Sequence, residues 1–310
     1  MTKLAFVFPG QGSQSVGMLE DAREVCAELF AEASSVLGYD LWDLVENGPE
    51  DQLNQTEYTQ PALLTASIAL FRLAQDRGLP SPDVVAGHSL GEYTALVASE
   101  SLIFFDAVQL VRKRAELMQS AVPSGSGSMA AILGLDDVKV VEICSIANKL
   151  GVVEAVNFNS PGQVVIAGEK KAVLHACGLM KEAGAKRALV LPVSVPSHCS
   201  LMKDAAMDFK RSVDNINFQM GSEKVLHNVD ADYSSNIEQI KSKLVEQLYK
   251  PVLWTSIVQE MKNLGVEKLI EAGPGKVLAG LTRRIDKSIT GSAIIDVSSL
   301  KSTIEEISNA

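Results

Sequence analysis

An α/β fold is what this sequence predicts: a parallel sheet flanked by helices, with a small unit inserted into it. Three observations carry that expectation. Short apolar runs alternate with stretches of helical periodicity, as strand–helix–strand crossovers require. The alternation changes character between about residues 124 and 196, where the order becomes β-α-β-β-α-β, the ferredoxin-like motif. The chain has 310 residues, 46% of them hydrophobic, enough for one large core and a smaller companion.

Taken in order, "LAFVF" (4–8) predicts a buried strand ended by the Gly-rich loop "PGQG". Helical spacing over 24–38 stops at Gly38, and 60–78 is apolar almost all round, which predicts a deeply buried helix. "DVVAG" (83–87) reads as a strand, 92–100 as the start of a helix and 104–121 as a third long helix. "SGSGS" (124–128) reads as a flexible joint. Strand 129–135, helix 136–150, strand 152–158, the turn "SPGQ", strand 164–168, helix 169–184 and strand 187–193 follow. Pro161 and Gly162 stand where a type II turn wants them. Helices at 201–213, 237–249 and 252–265, a strand within 268–275 and a helix over 277–285 resume the larger pattern.

Charge and composition exclude several classes. The net charge is −10 and the pI about 5.0, where a general nucleic-acid binder would be basic. The four cysteines Cys26, Cys144, Cys177 and Cys199 show no metal-ligand spacing, so no metal site is expected and free thiols in a reducing compartment are. The apolar run before Pro9 is shorter than the roughly 7–15 residues of a secretory core. No stretch approaches the ~18 apolar residues of a membrane span. A soluble, cytoplasmic protein is expected, without membrane or nucleic-acid partners.

The strand "VVA" runs directly into "GHSLGE" (87–92) and then into a helix. A strand, a sharp turn and a helix are what a nucleophile elbow needs. Flanking glycines let the backbone turn, Ser89 is thrown outward, and the amide of Leu90 sits at a helix N-terminus, able to face an oxyanion. The competing reading is a Gly-rich turn with an N-capping serine. A serine nucleophile needs a base. His88 adjoins Ser89, and adjacent side chains diverge at an elbow; it can support the turn instead. His175 reads as structural or exposed, and His227 as a satisfied histidine at a strand end. His198, in the irregular proline-flanked "VPSHCS", is the candidate base.

Two further features stand out. "FPGQGSQ" (8–14) lacks the Lys-Ser/Thr of a phosphate loop and the third glycine of the dinucleotide fingerprint. The amide of Gln11 could be a second oxyanion donor, or the loop an ordinary turn. On the helix 104–121, Arg112 and Lys113 can both pair with Glu116, whereas Arg114 has no acid three or four residues away and flanks the apolar stripe. A guanidinium there either grips a planar anion or snorkels to water.

"FPGQGSQ", "GHSLGEYTAL", "RAELMQSAVP", "VNFNSPGQVVIAG", "VPSHCSLM" and "EAGPGKVL", in this order, resemble the malonyl-CoA:acyl-carrier-protein transacylase family of bacterial fatty acid synthesis. The resemblance spans residues 4 to about 286. It implies an α/β-hydrolase-like large domain (1–123 and 197–310) and a ferredoxin-like small domain (124–196). It implies Ser89 as nucleophile and His198 as base in a Ser–His dyad. Gln11 and Leu90 would form the oxyanion hole, and Arg114 would bind the malonyl carboxylate. The backbone carbonyl of Gln247 would orient the histidine, and Asn159 and His88 would line the site. The implied reaction is ping-pong transfer from malonyl-CoA to acyl carrier protein, with no cofactor. A monomer is expected. Because such carrier proteins are acidic, a local basic patch drawn from Lys186, Arg187, Lys250, Lys276, Arg283 and Arg284 is expected to dock them. The alternatives are a serine thioesterase and a non-catalytic carrier-binding module.

Overall fold

The computed structural model describes residues 3–193 and 195–308. Five parallel strands make the larger sheet: β1 (Lys3–Phe8), β2 (Val84–Gly87), β7 (Lys224–Leu226), β8 (Val266–Ala272) and β9 (Thr290–Ile294), in the order β7-β2-β1-β8-β9. Alternation along β1 divides the core between the two faces. Leu4, Phe6 and Phe8 join one cluster with α1 (Arg23–Leu37), α4 (Thr56–Asp76), α5 (Gly91–Ala98) and α6 (Phe104–Ser120). Ala5 and Val7 join the other, with α11 (Trp254–Asn263) and α12 (Val277–Ile285). A parallel sheet covered on both faces can afford strands apolar on both sides, which is how β1 and β2 read.

A second, antiparallel sheet has the order β4-β5-β3-β6, from β3 (Gly127–Leu133), β4 (Val153–Ser160), β5 (Gln163–Glu169) and β6 (Arg187–Val190). α7 (Asp137–Ala147) and α8 (Lys170–Glu182) pack on it around their own core of Ile132, Val140, Ile166 and Val173. Gly162 takes φ +73°, as the type II turn between β4 and β5 requires. The two sheets are stitched together along β4. Asn157 bridges Val252, Phe158 N donates to Val252 O at 2.9 Å, and Val252 N donates to Val156 O at 2.8 Å.

Several elements depart from the sequence expectations. α4 begins at Thr56, four residues early, and takes Pro61 inside it. The lost N–H is outweighed by burial of every residue from Gln60 to Phe71. The joint at 124–128 is shorter than expected. Gly127 and Ser128 already pair with Glu169 and Gly168, and Ser126 closes a turn onto the Pro123 carbonyl. α2 (Leu41–Asn47), α3 (Glu50–Leu53), β9 and the C-terminal α13 (Val297–Ser308) were not expected. α2 carried a signal, since the Asp40 side chain caps it by accepting from Asp43 N at 3.0 Å. β9, "TGSAI", is a polar edge strand that only pairing with β8 identifies. β6 stops at Val190, short of the expected 193. α9 (Lys203–Asp214) and α10 (Ile237–Gln247) complete the chain.

Candidate active site

Sterics dictate the turn after β2. A Cβ on Gly87 would fall 1.9 Å from the Gly91 carbonyl carbon, and one on Gly91 would fall 2.1 Å from Phe8 O. Both glycines of Gly-x-Ser-x-Gly are therefore required for the β2–α5 corner to pack against β1. Ser89, between them, is held at φ +53°, a left-handed conformation uncommon for a non-glycine residue. The β1 loop is equally close, because a Cβ on Gly10 would meet His88 O at 2.7 Å.

His198 reaches the elbow from the segment before α9. Its Nε2 lies 2.7 Å from Ser89 Oγ, and its Nδ1 lies 2.7 Å from the backbone carbonyl of Gln247. A carbonyl only accepts, so Nδ1 carries the proton and Nε2 presents its lone pair to the serine. Burial, then the positive charge of Arg114, pushes the His198 pKa down to about 3. The imidazole is accordingly neutral at ordinary pH. His198 also takes a left-handed backbone, φ +64°, and its amide donates to Leu248 O at 3.0 Å.

Arg114 is 1% exposed, which excludes snorkelling to water. Its Nη1 donates to Gln60 Oε1 at 2.9 Å, and its Nη2 donates to Gln247 Oε1 at 2.9 Å and to Ser89 Oγ at 3.2 Å. The guanidinium carbon lies 5.3 Å from the Tyr93 ring centroid. Burial lowers the Arg114 pKa. Every hydrogen-bond acceptor on this cation is neutral, and Nε has none among the described residues. Just before it in sequence, Arg112 and Lys113 pair with Glu116, as their spacing predicts.

The remaining residues fall as follows. His88 Nε2 donates to Asn159 Oδ1 at 2.8 Å, joining the elbow to β4. Gln11 lies in the loop after β1 with its side chain on Thr56 Oγ1, and Leu90 immediately precedes α5. Neither the Gln11 nor the Leu90 amide donates to another group among the described residues. His175 is exposed on α8, and buried His227 is bonded at both ring nitrogens, to Glu92 and Ser234. Lys186, Arg187, Lys276, Arg283 and Arg284 are exposed, whereas Lys250 is half-buried and paired with Glu246 at 2.9 Å. No group of three or more His, Cys, Asp or Glu could hold a metal ion among the described residues. No helix described is long and apolar enough to cross a membrane.

Sequence reading missed Gln60, Glu92 and Asn228. Gln60 and Asn228 are polar residues in apolar surroundings, a signal that points to burial with partners but not to which partners. Glu92 follows the elbow directly. Its carboxylate is 0% exposed and accepts from His227 Nδ1 (2.8 Å), Asn228 N (3.0 Å) and Gln247 Nε2 (2.8 Å).

Comparison with known proteins identifies the family. Residues 5–297 match the model of the acyl transferase domain. The chain is 54% identical over 308 residues to the malonyl CoA-acyl carrier protein transacylase of Escherichia coli (strain K12), covering 98% of this chain and 100% of that protein. It is 43% identical to the Bacillus subtilis protein of the same name, over 99% of this chain and 98% of that one. An acyl carrier protein S-malonyltransferase from Vibrio cholerae superposes with a TM-score of 0.95 at 55% identity, over 97% of this chain and 100% of that chain. A malonyl-transacylase solved in complex with its type II PKS acyl-carrier protein gives 0.97 at 50% identity, over 98% and 100%. The protein is thus an acyltransferase in class. It belongs to the acyl transferase family, among the malonyl CoA-acyl carrier protein transacylases.

Proposed function

We propose that the protein moves the malonyl group from malonyl-CoA to the phosphopantetheine thiol of acyl carrier protein through an ester on Ser89. The observation that carries this is Arg114. A buried guanidinium 3.2 Å from a candidate nucleophile, hydrogen-bonded among the described residues only to neutral acceptors, favours a substrate that brings its own carboxylate.

The hydrogen bonds support the following chemistry. Ser89 Oγ attacks the thioester carbonyl as its proton passes to His198 Nε2. The imidazolium so formed is stabilised at Nδ1–H by the Gln247 carbonyl, so the pair works as a dyad. The amides of Gln11 and Leu90 receive the oxyanion. Collapse breaks the carbon–sulfur bond, and Nε2–H returns the proton to the departing CoA sulfur. In the second half the carrier thiol gives its proton to Nε2, attacks the ester, and expels Ser89 Oγ, which regains that proton. The bound carboxylate offsets the Arg114 charge, one of the causes of the low His198 pKa, and so makes the base stronger when substrate is present. Asn159 and His88 line the site from β4 and the elbow. The reaction needs no metal or redox cofactor.

We read the five-stranded module as α/β-hydrolase-like (1–123 and 197–310). The four-stranded module (124–196) reads as ferredoxin-like, which its strand order supports. Four buried free cysteines fit a cytoplasmic setting, and a monomer suffices because every residue invoked comes from one chain. Carrier protein would dock by charge at Lys186, Arg187, Lys276, Arg283 and Arg284, with Lys250 already neutralised by Glu246. Charge reversals there should raise carrier-protein KM; an unchanged KM would reject the patch.

Intact mass after brief mixing with malonyl-CoA tests the core of the reading. Wild type should gain one malonyl group that carrier protein discharges, Ser89→Ala should gain none, and Arg114→Ala should lose malonyl in favour of acetyl from acetyl-CoA. Free CoA and malonate accumulating without any acceptor would point instead to a thioesterase.

A further inference from the structure

The strained Ser89 sits two residues beyond the end of β2, where ladder hydrogen bonds from the sheet should have ceased. They have not. β2 and β7 pair in parallel with Val84 opposite Lys224, Val85 opposite Val225 and Ala86 opposite Leu226. Continuing that register by two residues sets His88 opposite Asn228. In a parallel ladder the residue opposite His88 would donate its N–H to the carbonyl of Gly87 and accept the N–H of Ser89. The Asn228 side chain makes these two bonds in place of its backbone. Nδ2 donates to Gly87 O at 2.7 Å, and Oδ1 accepts from Ser89 N at 2.7 Å. A carboxamide has the donor and acceptor of a peptide group, so it can stand in for one.

The backbone of Asn228 is occupied elsewhere. Its N–H donates to Glu92 Oε2 at 3.0 Å, and its carbonyl accepts from Leu253 N at 2.9 Å. The same Glu92 oxygen accepts from Gln247 Nε2 at 2.8 Å, and that nitrogen also donates to Ser89 O at 2.8 Å. Both polar backbone groups of Ser89 are thus held by side-chain amides, and Glu92, in the first turn of α5, accepts from the backbone N–H of Asn228 and from the side-chain amide of Gln247. All three of Glu92, Asn228 and Gln247 are 0% exposed.

We infer that Asn228 is a positioning residue for the nucleophile: its carboxamide prolongs the sheet past the end of β2 and fixes the peptide that aims Ser89 Oγ at His198. Glu92 acts behind it, holding the backbone of Asn228 and the side-chain amide of Gln247. The inference rests on Ser89 being the nucleophile.

Single-turnover acylation of Ser89 by malonyl-CoA, followed by rapid-quench intact mass, tests it. In Asn228→Ala the maximal acylation rate should fall on the order of 100-fold, the cost of a nucleophile displaced by about 1 Å. The malonyl-CoA concentration giving half that rate should stay within about threefold, because the Arg114 contacts are untouched. A folded Asn228→Ala protein that acylates within about threefold of wild type overturns the inference.

Asn228→Asp decides the matter if the alanine variant does not fold. Its carboxylate keeps the acceptor for Ser89 N–H but sets an anion against Gly87 O, near Glu92. Protonation restores the donor. Its rate relative to wild type should therefore rise at least about fivefold on going from pH 8 to pH 5, with His198 neutral across that range. A ratio independent of pH overturns the inference. Failure of the underlying reading looks different, since wild type itself would then form no ester on Ser89.

Discussion

Ser89 and His198 face each other across 2.7 Å and share an unusual backbone, with φ of +53° and +64°, yet the chain builds them in opposite ways. The corner under Ser89 is shaped by its own neighbours in sequence, and Asn228 and Gln247 then hold the Ser89 backbone. Gly87 and Gly91 leave no room for a side chain, and the strand and helix on either side define the corner. His198 has no regular element around it. Its amide and ring are held by Leu248 and Gln247 at the end of α10. Ser200, two residues on, gives its amide (3.0 Å) and hydroxyl (2.6 Å) to Glu154 on β4. The corner that carries Ser89 is locally encoded and brittle. The hold on His198 is assembled from three distant segments, and its tolerance to change should be graded.

The largest effect expected is therefore at the elbow. Gly91→Ala puts a Cβ 2.1 Å from Phe8 O, in rigid backbone. It should cost at least about 4 kcal/mol, seen as a collapsed urea midpoint and no acylation. A soluble, cooperative and active Gly91→Ala protein would remove the contrast altogether.

Next comes the pH dependence of His198. Its folded pKa of about 3 lies below the ordinary 6.5, so between those values the unfolded chain holds a proton that the folded one lacks. Stability should fall as pH drops from 6.5 toward 3, with a slope of about 1 kcal/mol per pH unit from this group. Below the folded value the slope from His198 ends. Denaturant melts of wild type and His198→Asn across that window check it, and parallel curves would contradict the assignment.

Glu154→Ala sharpens the comparison from the other side. It removes two hydrogen bonds to a carboxylate but leaves the backbone hold on His198, so a loss of about 2 kcal/mol and a tenfold lower kcat are expected. Malonyl-CoA KM should be unmoved. A kcat equal to wild type would mean that the α10 contacts alone position His198.

Glu116→Ala is the control on α6. It releases the half-buried Arg112 and the exposed Lys113 and should change stability by less than about 0.5 kcal/mol, with full activity.

The same contrast explains what could be read from the sequence. The alternation of strands and helices, the elbow and the unpaired Arg114 were legible because each is a short-range pattern. His198 could be narrowed to one of four histidines, by its irregular surroundings. The role suggested for the Gln247 carbonyl came only with the family resemblance, since a backbone oxygen leaves no mark in composition or spacing. Asn228 needed the β2–β7 register, and β7 is only three residues long. β9 was invisible because an edge strand of small polar residues lacks the apolar alternation that signals a strand.

The stitching of β4 to Val252 has a consequence for engineering. A protein chemist exchanging the four-stranded module for that of a relative would be tempted to cut at its two chain crossings. Such a chimaera would also replace Asn159, which holds His88, and Glu154, which holds the segment bearing His198. The transplant must therefore be matched at the seam, residues 154–159 against 198–200 and 252, or the recipient will receive a new wall at the cost of its own catalytic alignment.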